Sequence, residues 1–202
     1  MYTLYQFPMS PASRRVISLL AHCDLPYEPR NVDMLAGQHM SPEYLAVNPN
    51  HQVPTLIDGD LKIHESNAIL RYLCNRHGLE SWYPTDDRQR AKVDQWLDWT
   101  QCRFFPTMRD IVLNEVFLGN KGDKAAAQQG RGRLKELFEI VEYGLSNRFL
   151  AADTPTIADL SLASSVYQLN FAGIQPESPK VKRWFDRVSQ LKGYQASLPK
   201  QA

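Results

Sequence analysis

This chain lacks any apolar run of 18 residues, has only three cysteines, and carries almost no net charge. Each shortage excludes something. A helix needs about 20 consecutive apolar residues to cross a bilayer, so no membrane span is expected. "MYTLYQF" at the N-terminus has neither the basic flank nor the apolar core of a secretory leader, and a cytoplasmic location is expected. Cys23, Cys74 and Cys102 are odd in number and widely spaced, which fits reduced thiols better than a disulfide framework. Without a CxxC pair, thiol–disulfide exchange has no carrier. With 23 Lys and Arg against 22 Asp and Glu the net charge is +1, so no strong field draws the chain to nucleic acid or anionic lipid. The basic clusters Arg131/Arg133 and Lys180/Lys182/Arg183 read as solvated helix faces. None of the five histidines pairs at metal-ligand spacing, so no metal is expected.

What is present is patterned. "YTLYQF" (2–7) is a short β-rich run, and beyond Ser13 the residues Val16, Leu19, Leu20 and Cys23 recur at helical spacing. A proline-bounded strand is expected within 24–33, and a short helix after Ser41 with Pro42 in its first turn. "TLI", a turn at Asp58-Gly59 and "LKIH" read as a hairpin. "AILRYLCNRHG" then places Ile69, Tyr72 and Leu73 on one helix face and stops at Gly78. From 79 to 86 a proline-containing linker is expected, and from 87 to 202 an all-helical domain. Its first helix is expected over Asp87–Phe117, with Val93, Trp96, Leu97, Thr100 and Phe104 on one face and a kink at Pro106. A second is expected over Lys124–Phe149, with Leu134, Leu137, Phe138, Val141 and Leu145 as its stripe. A third opens on a capping box of Thr156 and Asp159, and a last one covers Ser178–Leu191.

Four stretches in order, "SPASRRV", "NPNHQVPTLIDGDLKIHESNAILRYL" (48–73), "WYP" (82–84) and "TIADLSLAS" (156–164), resemble the cytosolic glutathione transferases over nearly the whole chain. Within that family the chain is similar to serine-type bacterial members near the theta, delta and zeta classes. The resemblance implies a thioredoxin-like N-terminal α/β domain (β-α-β-α-β-β-α, residues 1–78), an all-α C-terminal domain and a homodimer. It also implies glutathione as co-substrate and a small hydrophobic electrophile as second substrate, bound over the helix that opens the C-terminal domain. Trp99, Arg103, Phe104 and Met108 are spaced toward that helix's pocket side, although such spacing more often marks core. An isomerase, dehalogenase or peroxidase would use the same thiolate, and a non-catalytic regulatory protein the same scaffold. Cysteine where this chain has Ala12 would mark the zeta-like isomerase.

Glutathione offers one thiol, two carboxylates and an amine. In the family the proline of "QVPTL" is cis, so Pro54 would present the backbone of Val53 to the peptide. Ser66 stands where a helix begins, a natural carboxylate receptor, and Glu65 beside it can accept from the amine. His39 and His51 fall where relatives reach the glycyl end or the sulfur side, and Gln52 beside His51 is a second candidate donor. At the first turn, Ser10 is expected to donate to the thiolate, with Ser13 as the alternative and the expected helix cap. Gln6 stands where tyrosine-using classes have tyrosine, and Pro11 comes one residue earlier than in the usual serine turn.

Overall fold

The computed structural model describes residues 1–146 and 148–199. They form two compact units, one of residues 1–78 with the segment from Gln190 on, the other of Leu79–Ser189.

In the first unit the strands β1 (Tyr2–Gln6), β2 (Tyr27–Asn31), β3 (Thr55–Asp58) and β4 (Leu61–His64) make one sheet in the order β2-β1-β3-β4. β2 runs parallel to β1, as its crossover through α1 (Pro11–His22) requires, while β3 and β4 are antiparallel. Pro29 is tolerated because β2 is an edge strand. The register of Asp58 on Leu61 puts Gly59 and Asp60 in the hairpin turn, one residue later than the sequence suggested. Leu4 and Leu56 are fully buried, as are Val16, Leu19 and Leu20 of α1 and Ile69, Leu70 and Leu73 of α3 (Ser66–His77). Gly78, with φ 61°, ends α3 in the left-handed conformation that glycine adopts without a Cβ penalty. α2 (Pro42–Leu45) is one turn capped by Ser41, and its Tyr44 joins Val32 and Val53 in a small cluster that Tyr5 and Phe7 complete.

The second unit is helical. Asp86 caps α4 (Asp87–Trp99) by accepting from Gln89 N–H. The expected continuous helix to Phe117 is interrupted by two π-helical turns, Thr100–Phe104 and Leu113–Phe117, on either side of α5 (Phe105–Val112). Pro106 has no N–H to give to the carbonyl four residues back, and the first widened turn ends just before it. α6 (Lys124–Gly144) stops five residues short of the expected Phe149, with Leu145 leaving helical geometry at ψ 55°. α7 (Ile157–Leu169) opens on the expected capping box, and α8 (Pro179–Ser189) follows. The segment read as a linker is packed in this unit: Trp82 and Tyr83 are buried, Trp82 C=O accepts from Ile157 N–H at 3.0 Å, and Arg90 lies 4.8 Å over the Tyr83 ring.

The sequence reading missed α9 (Lys192–Ala196) and placed the tail in the helical domain. It packs on α1 in the first unit instead. Gly193 makes the approach feasible, since a Cβ there would overlap the carbonyl of Ser18 and the backbone nitrogen of His22. Ser197 reinforces it with a hydroxyl contact to Ser18 at 2.8 Å. Because the obstruction is backbone rather than a flexible side chain, Gly193→Ala is expected to cost about 1–3 kcal/mol. Thermal melting together with hydrogen exchange in α1 and α9 checks this, and an unchanged melt would show that α9 can shift without penalty.

Candidate functional site

Strand direction gathers the expected residues at one edge of the sheet. β1 ends at Gln6, and the chain turns through Phe7 to Ser10. Thr55, which starts β3, pairs with both Tyr5 and His64, so Val53-Pro54 and Glu65-Ser66 lie just beyond the same sheet end. Parallel β2 also finishes there, and Val32 N–H extends its pairing to Gln6 C=O at 2.8 Å. The segment that follows β2 carries His39 in a single 3-10 turn and His51 just before Val53.

The two serines divide differently from the expectation. Ser10 is the N-cap of α1, in extended conformation, and its hydroxyl accepts from Ser13 N–H at 3.2 Å. Ser13 sits inside the first turn, 0% exposed, and its hydroxyl accepts from Phe7 N–H at 3.3 Å. Ser13 is therefore not the cap. Its side chain instead closes the strand-to-helix turn from within, a role set by Ser10 having extended dihedrals and Pro11 starting the helix. A hydroxyl has one proton and two lone pairs, so capping α1 uses an acceptor site of the half-exposed Ser10 and not its proton. Gln6 is buried, and its amide nitrogen donates to Asn31 Oδ1 at 3.1 Å.

The Val53-Pro54 bond is cis. The N–H and C=O of Val53 are not part of the sheet ladder, which begins at Thr55. Gln52 is exposed, and its carbonyl is held by Tyr44 O–H at 2.5 Å and Asn48 Nδ2 at 2.9 Å. His51 has φ 56° and Glu65 φ 67°, both in territory that non-glycine residues seldom occupy. Such conformations cost about 1–3 kcal/mol and cluster at ligand sites. Glu65 is the N-cap of α3 but makes no side-chain cap bond, which leaves the first N–H groups of α3 without that partner, and Ser66 is 5% exposed beside them.

Two arginines went unnoticed in the sequence. Arg14 and Arg15 are fully buried in α1, and Arg15 Nη1 donates to Asn67 Oδ1 at 3.0 Å, tying α1 to the start of α3. Burial pushes the Arg15 guanidinium down to about 9, with Glu65 pulling it back up and Arg14 adding to the fall. It is still protonated at neutral pH, so a cation stands behind the N-terminus of α3, a setting that favours an anion in front of it. "SRRV" did carry the signal, because Arg14 and Arg15 interrupt an otherwise core-facing stretch. Asn67, without an assigned contact in the sequence, is the partner. Phe104 and Met108 are core, the half-buried Trp99 packs on Trp96 and Phe104 at 5.2 and 6.1 Å, and Arg103 is exposed. Among the described residues no group of three or more His, Cys, Asp and Glu side chains is arranged to hold a metal ion.

Residues 1–75 match the glutathione S-transferase N-terminal domain, and residues 100–192 match the C-terminal domain. The chain belongs to the glutathione S-transferase family. This transferase-family chain is 32% identical over 198 residues to glutathione S-transferase F10 of Arabidopsis thaliana, covering 93% of this chain and 91% of that protein. It is 35% identical over 205 residues to glutathione S-transferase 2 of Anopheles gambiae, covering 98% and 95%. Among solved structures, human glutathione transferase theta-2 in complex with glutathione superposes with a TM-score of 0.91 at 28% identity, covering 98% of this chain and 86% of that one. Glutathione transferase F2 of Populus trichocarpa gives 0.88 at 29%, covering 98% and 97%. The thioredoxin-like sheet domain and the all-helical domain expected from the sequence are those of the family.

Proposed function

We propose that this protein is a cytoplasmic, homodimeric glutathione transferase of serine type that joins the glutathione sulfur to a small hydrophobic electrophile. The observation that carries the reading is the Ser10 hydroxyl, whose acceptor side is occupied by Ser13 N–H while its proton remains available. In the reaction the thiol proton passes to solvent, the thiolate attacks the electrophilic carbon, and a new S–C bond forms as the leaving group or displaced electron pair departs. A free thiol has pKa about 8.5. Lowering it by about two units needs roughly 2.7 kcal/mol of preference for the thiolate. A hydrogen bond to a charged acceptor supplies about 1.5–3 kcal/mol, and a helix N-terminus about 0.3–1. Ser10 at the start of α1 offers both, so no general base is required.

The rest of glutathione is matched group by group. Val53, ahead of cis Pro54, presents its N–H and C=O to the cysteinyl amide. The γ-glutamyl carboxylate lies against Ser66 Oγ and the uncapped first turn of α3, with Arg15 behind, and Glu65 takes the amine. His39 and His51, with Gln52, serve the glycyl carboxylate.

Retention on immobilised glutathione and conjugation of a reactive aryl halide test the reading. Retention without conjugation of any electrophile would leave only a binding protein, and no retention would sink the site. Ser66→Ala removes one carboxylate donor and is expected to raise the KM for glutathione about tenfold with kcat nearly unchanged, since the interaction is the same in ground and transition states. A fall in kcat alone would contradict that role.

A further inference from the structure

A groove of about 350 Å³ lies within the helical unit between α6 and the segment joining α7 to α8, and none of its lining residues is one used for glutathione. Its floor is apolar: Leu134 is buried, and Phe138 and Ile174 are half-buried. Phe138 is fixed edge-on against the core ring of Phe104 at 5.6 Å. The rim is charged and unbalanced. Among the described lining residues, the acids are Glu139, Glu142 and Glu177 and the bases Lys135 and Arg131. Arg131, also on the rim, is already committed, with Nε and Nη2 donating to the two oxygens of Glu115 at 2.7 and 2.6 Å and Nη2 to Ala172 C=O at 3.2 Å.

We propose that this groove is a second ligand site, for a hydrophobic organic cation with delocalised charge. The volume is that of a small-molecule pocket, and an apolar floor with a few charged groups is how such pockets are built. An anion would meet three carboxylates. The carboxylates do not converge as metal ligands would. They are spread around the floor, which suits a charge distributed over a flat apolar body, with the Phe138 ring as a further attraction for the cation.

Berberine, a planar quaternary cation whose fluorescence rises in apolar surroundings, is a suitable probe for the intact protein. Saturable enhancement is expected with a Kd of about 10–100 μM, weakening as salt rises. The double variant Glu139→Gln/Glu142→Gln is expected to weaken binding about tenfold, and Ile174→Arg, which adds bulk and charge to the floor, to abolish it. The glutamate variant changes rim side chains and should melt as the parent does, whereas Ile174→Arg alters a half-buried floor residue and is expected to lower the melting temperature only slightly; both should conjugate glutathione at the parent rate. S-Hexylglutathione and an anionic anilinonaphthalene sulfonate should not displace the probe. The proposal is overturned by any of four results: no saturable signal up to about 1 mM berberine, equal affinity in the variants, displacement by S-hexylglutathione, or a change in oligomeric state with Ile174→Arg. The last would mean that a second copy covers the groove.

Discussion

Ser10→Ala is expected to move the acid limb of the pH profile of turnover up by about two units. With the bound thiol's pKa raised from about 6.5 to the free value of about 8.5, the ionised fraction at pH 6.5 falls about fiftyfold, while above about pH 9 the variant and parent converge. The sign follows from the anion being the reactive form: removing the donor penalises the thiolate, so activity is lost at low pH and recovered at high pH. Ser10 also caps α1, so alanine is expected to cost about 1 kcal/mol of stability as well. Ser10→Asp separates the two effects, because aspartate caps as well as serine but offers a negative charge and no proton to the sulfur. It should melt like the parent and be even less active. Ser13→Ala is the converse. It leaves Phe7 N–H without its buried partner, costing about 1–3 kcal/mol, and keeps the pH profile. A shifted profile in Ser13→Ala with none in Ser10→Ala would reverse the assignment.

The second large effect lies at Asp159. One buried carboxylate accepts from Leu150 N–H (3.0 Å), Thr156 N–H (2.8 Å), Thr156 Oγ1 (3.0 Å) and Trp184 Nε1 (2.8 Å). It thereby ties the loop after α6, the start of α7 and the middle of α8. Asp159→Ala orphans three N–H donors in a dry interior. At about 1–3 kcal/mol each, partly relieved by relaxation, the expected loss is about 4 kcal/mol, a fall in Tm of about 8–16 °C for a chain of this size. Burial holds the Asp159 carboxyl above its ordinary 3.8, although all four donors pull it down. Ionising it therefore opposes folding: its contribution is full below pH 3.8 and declines as pH rises through the folded value. Asp159→Asn should remove that slope and, by turning an amide toward the donors on one oxygen, cost less than alanine but more than nothing. Equal melting of all three proteins would show that the network adds nothing.

Much of the candidate site, and the capping box of α7 with it, was written in local sequence. Ser66 follows a hairpin and opens a helix, Pro54 is followed by a strand, and Thr156 stands three residues before Asp159, so spacing alone locates them. The division of labour between Ser10 and Ser13 was not, because both fit a helix start and only the dihedrals at Ser10 decide which is outside the first turn. Arg14 and Arg15 went unnoticed because arginine is rarely buried. Arg15 is paired with Asn67, 52 residues further along the chain, which no local pattern connects to it. α9 was missed for a similar reason: five residues are too few to show helical periodicity, and their place is set by a close backbone approach at Gly193.

By itself, then, the sequence determined the two-part architecture, the order of the strands and of most helices, and the family, because hydrophobic period, turn residues and caps act over a few neighbours. Only the tertiary structure decided which serine caps α1, what pairs with Arg15, where the tail packs and where an acid-rimmed groove opens beside α6. The partner of Arg15, the packing of the tail and the groove depend on residues distant in the chain meeting in space, and the serine assignment depends on backbone dihedrals that the residue types leave open.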